Sequence, residues 1–78
     1  METAKIFVER LNELVNEKCA SEKLSVNAIA KEVGIKQPTF FRYLKGDREP
    51  GISTLAKLSA FFNVSADWLI GLKNYEEE

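Results

Sequence analysis

The chain has 78 residues, of which 45% are hydrophobic and 29% are charged, and its formal net charge is −1. This length suits a single domain, and the composition excludes wholesale disorder. Because there is one cysteine and no histidine, an internal disulfide and a Cys/His zinc site are both excluded, and we expect neither a metal nor a cofactor.

The apolar residues are too dispersed for an export signal or a membrane span. The chain begins Met1-Glu2-Thr3-Ala4-Lys5, with no apolar run behind a basic start, so we expect no signal peptide. The longest stretch without a charge, residues 58–66, has nine residues, whereas a membrane-spanning helix needs about 20. We therefore expect a cytoplasmic protein with no membrane partner.

The first predicted element is an amphipathic helix from about Thr3 to Lys18, with Thr3 as a candidate N-cap. Its apolar residues follow the spacing i, i+4, i+7 and i+8, which is typical of one helix face: Phe7, Leu11, Leu14 and Val15. The mixed stretch Cys19–Leu24 is predicted to be a loop or a frayed last turn.

Two short helices are predicted next. The second helix covers Val26–Val33, with Ser25 as its N-cap and Gly34 at the point where the chain must turn sharply. The third helix covers Gln37–Lys45 and ends at Gly46, again in the position of a C-terminal glycine.

Two further helices complete the prediction. The fourth is predicted over Ile52–Phe62 and ends at Asn63, and its apolar face contains Ile52, Leu55, Leu58 and Phe62. The fifth is predicted over Ala66–Ile70, between an N-cap at Ser65 and Gly71. Five helices on short connections predict an all-α, compact five-helix bundle over residues 1–72, followed by an acidic tail, 73–78.

The basic residues are concentrated around the second and third helices. Residues 31–48 contain five basic and two acidic residues, whereas the rest of the chain contains six basic and ten acidic ones. Two short helices joined by the tight turn at 34–36 form a helix-turn-helix. The outward face of the third helix is narrow enough to enter a DNA major groove about 12 Å wide, and it carries Gln37, Pro38, Phe41, Arg42 and Lys45.

Four short motifs follow one another along the chain. They are Leu24-Ser25-x-x-x-Ile29-Ala30-x-x-Val33-Gly34-Ile35, Arg42-Tyr43-x-x-Gly46-x-Arg48-x-Pro50, Leu55-x-x-Leu58 and Val64-Ser65-x-Asp67-Trp68-Leu69-x-Gly71. In this order and spacing they resemble the Cro and phage-repressor family of helix-turn-helix proteins, over about residues 7–71. The resemblance implies a sequence-specific regulator of transcription that binds double-stranded DNA, with its recognition helix in the major groove.

The resemblance also implies which side chains contact DNA. It assigns base contacts to Gln37, Pro38, Thr39 and Arg42, and contacts with the DNA backbone to Ser25, Val26, Lys36, Lys45 and Arg48. Glutamine can pair with adenine and arginine with guanine. Three residues depart from the usual family pattern, namely Val26, Pro38 and Phe41. Phe41 is as good a candidate for contact with a thymine methyl group as for packing against the first helices.

The last helix is the candidate dimer interface. Useful affinity implies a homodimer on two half-sites, and the large apolar residues that remain for it are Trp68, Leu69 and Leu72. Trp68 suits the core as well as an interface, and Tyr43 is predicted to be half-buried. The interface assignment rests on the resemblance and on elimination.

The sequence leaves one alternative to DNA binding open and argues against another. A protein-interaction module with the same fold, such as an antitoxin, antirepressor or adaptor, is favoured by the overall acidity and by the apolar Pro38 and Phe41. An enzyme is not expected, because the sequence has no histidine, no nucleophile with a base partner, no phosphate-binding glycine loop and no clustered carboxylates.

Overall fold

The computed structural model describes residues 3–72, and these residues form five helices and no strand. The helices are α1 (Thr3–Glu22), α2 (Val26–Val33), α3 (Gln37–Lys45), α4 (Ile52–Phe62) and α5 (Ala66–Leu69). The predicted all-α fold, with a helix-turn-helix at the second and third helices, is confirmed. The predicted acidic tail, 73–78, lies outside the described residues.

The one substantial error in the predicted helices concerns the end of α1. Residues 19–24 were predicted to be a loop or a frayed last turn; the loop alternative is wrong for the first four of them, which continue α1 to Glu22. Cys19 packs against the core, and nothing before Lys23 breaks the helix. The added turn is closed by a salt bridge of 3.0 Å between Lys18 Nζ and Glu22 Oε2, and the chain then turns at Lys23, whose φ is 54°.

Three other helix ends follow local capping chemistry, whereas the candidate N-cap Thr3 is the first residue of α1 itself. The hydroxyl oxygen of Ser25 accepts a hydrogen bond of 3.1 Å from the backbone N–H of Ala28, and Ser65 caps α5 in the same way through Trp68 N–H, also at 3.1 Å. Asn63 ends α4 in the left-handed conformation, with a φ of 56°. These caps were predicted, and they are confirmed.

The core is arranged around α1, which packs against α2, α3 and α5. It contains apolar side chains from all five helices and from the turn after α2, namely Phe7, Leu11, Val15, Ile29, Ala30, Val33, Ile35, Phe40, Tyr43, Leu58 and Leu69. Tyr43 is buried rather than half-buried, with its ring edge-on to that of Phe7 at a centroid distance of 6.5 Å.

One residue predicted on the buried face of α4 is exposed instead. Ile52 lies at the first position of α4 and is 90% exposed, because this end of the helix extends past the core. Leu58 is fully buried, and Leu55 and Phe62 are partly buried against the core. The spacing therefore identified the correct face of α4 but not the point at which that face leaves the core.

Two features are absent from residues 3–72. No helix in that range has the length and apolar character needed to cross a bilayer. Over the same range, no three His, Cys, Asp or Glu side chains are grouped so that they could hold a metal ion.

Candidate nucleic-acid interface

The turn between α2 and α3 is set by a left-handed glycine. Gly34 has a φ of +89°, a conformation that residues with a Cβ adopt only at a cost. The N–H groups of Gly34 and Ile35 both donate to Ala30 O, at 3.0 Å each. These bonds satisfy a carbonyl at the end of α2 and direct the chain immediately into α3.

Burial of one face of α3 decides which face is turned outward. Phe40 and Tyr43 are buried, and Leu44 is partly buried against the core. This fixes the rotation of α3 about its axis, because residues three and four apart share a helix face. The opposite side of α3 is exposed along its whole length, and it carries Gln37, Pro38, Phe41, Arg42 and Lys45.

An amide from α1 holds the C-terminal end of α3. Asn12 Nδ2 donates to Leu44 O at 2.9 Å and to Val8 O at 2.8 Å. The carbonyl of Leu44 belongs to the last turn of α3, where backbone acceptors have no partner within the helix. Asn12 therefore acts as a C-terminal cap supplied by another helix, and sequence analysis did not identify it.

At the other end of α3, a side chain of α2 contacts Gln37. Gln37 Nε2 donates to Asn27 Oδ1 at 2.6 Å, and both side chains are exposed. Asn27 was not among the predicted site residues. The sequence pattern that could have indicated Asn27 is the presence of one amide side chain in the first turn of each helix of the motif.

The side chains predicted to contact the DNA backbone differ in their exposure and in their existing contacts. Lys36, Lys45 and Arg48 are exposed at or beyond the ends of α3. The hydroxyl of Ser25 is occupied as the cap of α2, and the side chain of Val26 is partly buried against the core. Capping uses the Ser25 oxygen as an acceptor, so the donors available at this end of α2 are the Ser25 O–H and backbone N–H groups, and the latter favour anions.

The cations of the helix-turn-helix form no ion pairs with other described side chains. The salt bridge found along residues 3–72 joins Lys18 to Glu22 in α1, and it involves none of the basic side chains Lys31, Lys36, Arg42, Lys45 and Arg48. Exposed cations of this kind can replace the counterions of a polyanion. The outward side of the motif is thus positive, while the carboxylates are concentrated elsewhere in the chain.

Phe41 and Thr39 complete the face of α3. Phe41 is 37% exposed and is not among the buried core residues. Thr39 is partly buried at the margin of the face. An aromatic ring beside Pro38 gives this otherwise polar surface a small apolar area.

The residues predicted for a dimer interface are not equally accessible. Leu69 is fully buried in the core, so its side chain cannot touch a second copy. Trp68 is partly buried beneath the Arg10 guanidinium, which lies 4.8 Å from the ring centroid and also donates a hydrogen bond to Trp68 O. Leu72, by contrast, is 63% exposed.

The geometry is that of two short helices at a tight turn, with a polar, cationic outer face on the second, and this is how helix-turn-helix proteins present a recognition helix. The chain belongs to the helix-turn-helix family, since the family model matches residues 16–69. The resemblance inferred from the sequence motifs is thereby confirmed.

A curated relative gives a more particular comparison. The chain is similar to YqaE, an uncharacterized HTH-type transcriptional regulator of Bacillus subtilis (strain 168), with 37% identity over 54 residues, or 68% of this chain and 47% of the relative. The chain therefore spans about half the length of that relative. No solved structure matches the chain.

Proposed function

We propose that this chain is a sequence-specific, double-stranded DNA-binding regulator of transcription that acts in the cytoplasm and places α3 in the major groove. The observation that carries the proposal is the outward face of α3, where exposed Gln37 and Arg42 lie on a helix whose opposite face is locked into the core. It performs no chemistry and acts as a repressor of phage or bacterial type, occluding a promoter.

The spacing along α3 suits two base pairs that are separated by a third. Gln37 and Arg42 are five residues apart, which is about 7.5 Å along the helix axis at about 1.5 Å per residue, or about two base-pair steps of about 3.4 Å. Gln37 would contact adenine and Arg42 guanine, each worth about 1–3 kcal/mol of discrimination. Pro38 and Phe41 would contact thymine methyl groups between them, with Thr39 at the edge.

Phosphate contacts would flank these base contacts. Lys36 lies before α3, while Lys45 and Arg48 lie at and beyond its C-terminal end. Backbone N–H groups at Ser25 and Val26, where α2 begins, add an uncharged donor site. These contacts set register and salt dependence and contribute little to sequence preference.

Two copies would bind two half-sites about 34 Å apart, one turn of DNA. The longest extent of the Cα atoms, 32 Å, is close to this half-site separation and supports two domains bound side by side. Leu72 is the accessible apolar side chain of the predicted dimer surface, together with the exposed part of Trp68.

The test begins with selection of bound duplexes from a random-sequence pool, followed by affinity measurements on the selected duplex. We expect Arg42→Ala and Gln37→Ala to weaken binding and to relax base preference at separate positions. Lys57→Ala is the control, because Lys57 is an exposed cation on α4, outside the proposed interface. If neither Arg42→Ala nor Gln37→Ala changes binding, the assignment of α3 to the groove is wrong.

A protein-interaction module is the second candidate, and the exposed ring of Phe41 beside Pro38 is the observation that favours it. In that case the chain would select no duplex from the random pool. Phe41→Ala would instead abolish binding to a protein partner while leaving the fold intact.

A further inference from the structure

The outward face of α3 contains an apolar area that consists of Pro38 and Phe41. Both side chains are exposed, Phe41 by 37%. They lie three residues apart and therefore on one side of the helix, and Arg42 follows Phe41 directly. No other ring of residues 3–72 stacks against Phe41. An apolar area beside exposed cations favours a target that carries both phosphates and an accessible apolar group.

We infer that Phe41 binds the C5 methyl group of a pyrimidine without distinguishing thymine from 5-methylcytosine, so that methylation of cytosine at this position increases affinity. The inference rests on the proposed function. A C5 methyl group is the apolar feature that a base edge presents in the major groove, and thymine carries it. Cytosine gains the same group at the same place when its C5 is methylated.

Pro38 and Phe41 have no means of reading the rest of the pyrimidine edge. Beside the methyl group, thymine presents an acceptor, O4, whereas cytosine presents a donor, N4–H₂. A polar side chain distinguishes the two bases by hydrogen bonding, but these two ring side chains contain neither a donor nor an acceptor. Their favourable contribution comes from apolar surface removed from water. It therefore depends on the methyl group and not on the base that carries it.

Arg42 indicates which pyrimidine is concerned. Residues 41 and 42 differ by about 1.5 Å along the axis of α3, which is less than one base-pair step of about 3.4 Å. The pyrimidine that Phe41 contacts should therefore belong to the base pair that Arg42 contacts or to a neighbouring pair. The methyl-sensitive position is thus expected at or next to the position where Arg42→Ala relaxes base preference.

The experiment compares duplexes that differ by a single methyl group, and it uses the full 78-residue chain. The duplex selected from the random pool is varied at the positions at and next to the Arg42 contact. At each of them a C·G pair is introduced, with or without a methyl group on cytosine C5. At one position 5-methylcytosine should bind about fourfold more tightly than cytosine, the effect of removing one methyl group from water. Thymine should exceed uracil there by the same factor.

Substitutions of Phe41 test whether its ring is responsible. Phe41→Ala should make the affinities for 5-methylcytosine and cytosine equal. Phe41→Leu keeps an apolar side chain and should retain a preference of about two- to fourfold. Because each ratio compares two duplexes with one protein sample, any loss of folded protein cancels. Ile52→Ala is the matched control and should keep the wild-type ratio, since Ile52 is an apolar side chain that is 90% exposed at the start of α4.

The outcomes separate the inference from the proposed function. Equal affinities of the wild-type chain for methylated and unmethylated cytosine at every tested position overturn the inference, and so does weaker binding of the methylated duplex. A preference for thymine over uracil without one for 5-methylcytosine overturns it as well, because the site then distinguishes the two bases. In these cases the groove assignment stands if Arg42→Ala relaxes base preference. A methyl preference that persists in Phe41→Ala refutes the role of Phe41. If the chain selects no duplex, the proposed function itself fails.

Discussion

Replacing Asn12 by alanine tests the attachment of α3 to α1. The substitution removes the donor that reaches Leu44 O at 2.9 Å and Val8 O at 2.8 Å. Val8 O lies in the interior of α1, where it also accepts a backbone hydrogen bond of the helix. The carbonyl that loses its partner in Asn12→Ala is therefore mainly Leu44 O. A lost hydrogen bond costs about 0.5–1.5 kcal/mol, and a buried group left without a partner costs about 1–3 kcal/mol. Since this site is partly buried, we expect a decrease of about 1–2 kcal/mol in the free energy of unfolding.

The matched control is Asn16→Ala on the same helix. Asn16 is exposed, so both variants share the gain in helix propensity from asparagine to alanine and only one loses the bonds. For a domain of this size, about 1 kcal/mol shifts the Tm by about 4–8 °C, so Asn12→Ala should melt about 5–15 °C below Asn16→Ala when unfolding is followed by far-UV circular dichroism. Equal melting temperatures for the two variants would refute the capping role of Asn12.

Three further predictions address the turn, the phosphate contacts and the apolar part of the interface. Gly34→Ala should lower the free energy of unfolding by about 1–2 kcal/mol in urea because of its positive φ, although a Cβ there meets no atom within 4 Å. Gly34→Asn, whose side chain is tolerated in the left-handed conformation, should lose less stability; an equal loss in the two variants would contradict the strain argument. Lys45→Ala should reduce the slope of log affinity against log salt by about 0.9, with Lys57→Ala as the charge-matched control, and an unchanged slope would exclude a phosphate contact. Replacing the relevant thymine by uracil should weaken wild-type binding about fourfold, the value of about 0.8 kcal/mol for one buried methyl group, and this sensitivity should vanish in Phe41→Ala if the ring contacts the methyl.

The helix boundaries could be predicted where the signal is local. Ser25, Gly34, Gly46 and Asn63 each stop or start a helix through their own side chain or their own tolerance of positive φ. The end of α1 could not be predicted in this way. The residue that turns the chain there is Lys23, whose type has no preference for the left-handed conformation.

Burial was predictable in pattern but not in extent. The spacing identified the inward face of each helix, yet it placed Ile52 inside, because periodicity does not show where a helix leaves the core. Leu69 was proposed for a dimer surface, although it fills the core of its own chain. Both errors concern the relative positions of helices, which a local pattern does not contain.

The polar contacts that support the candidate interface were beyond local sequence reasoning. Asn12 and Leu44 are 32 residues apart, and Asn27 and Gln37 are ten residues apart. Each contact forms only after α1, α2 and α3 have packed. The outward face of α3 was predictable, because it follows directly from the burial of Phe40 and Tyr43.

The turn before α3 and the caps at its C-terminal end have a thermodynamic consequence for association. The turn at Gly34, the left-handed Gly46 and the amide of Asn12 define α3 before any partner arrives. Binding would then require no coupled folding of this segment. The heat capacity change of binding should therefore correspond to the surface buried between the two partners. It should lack the large negative contribution that accompanies folding of a disordered segment on binding.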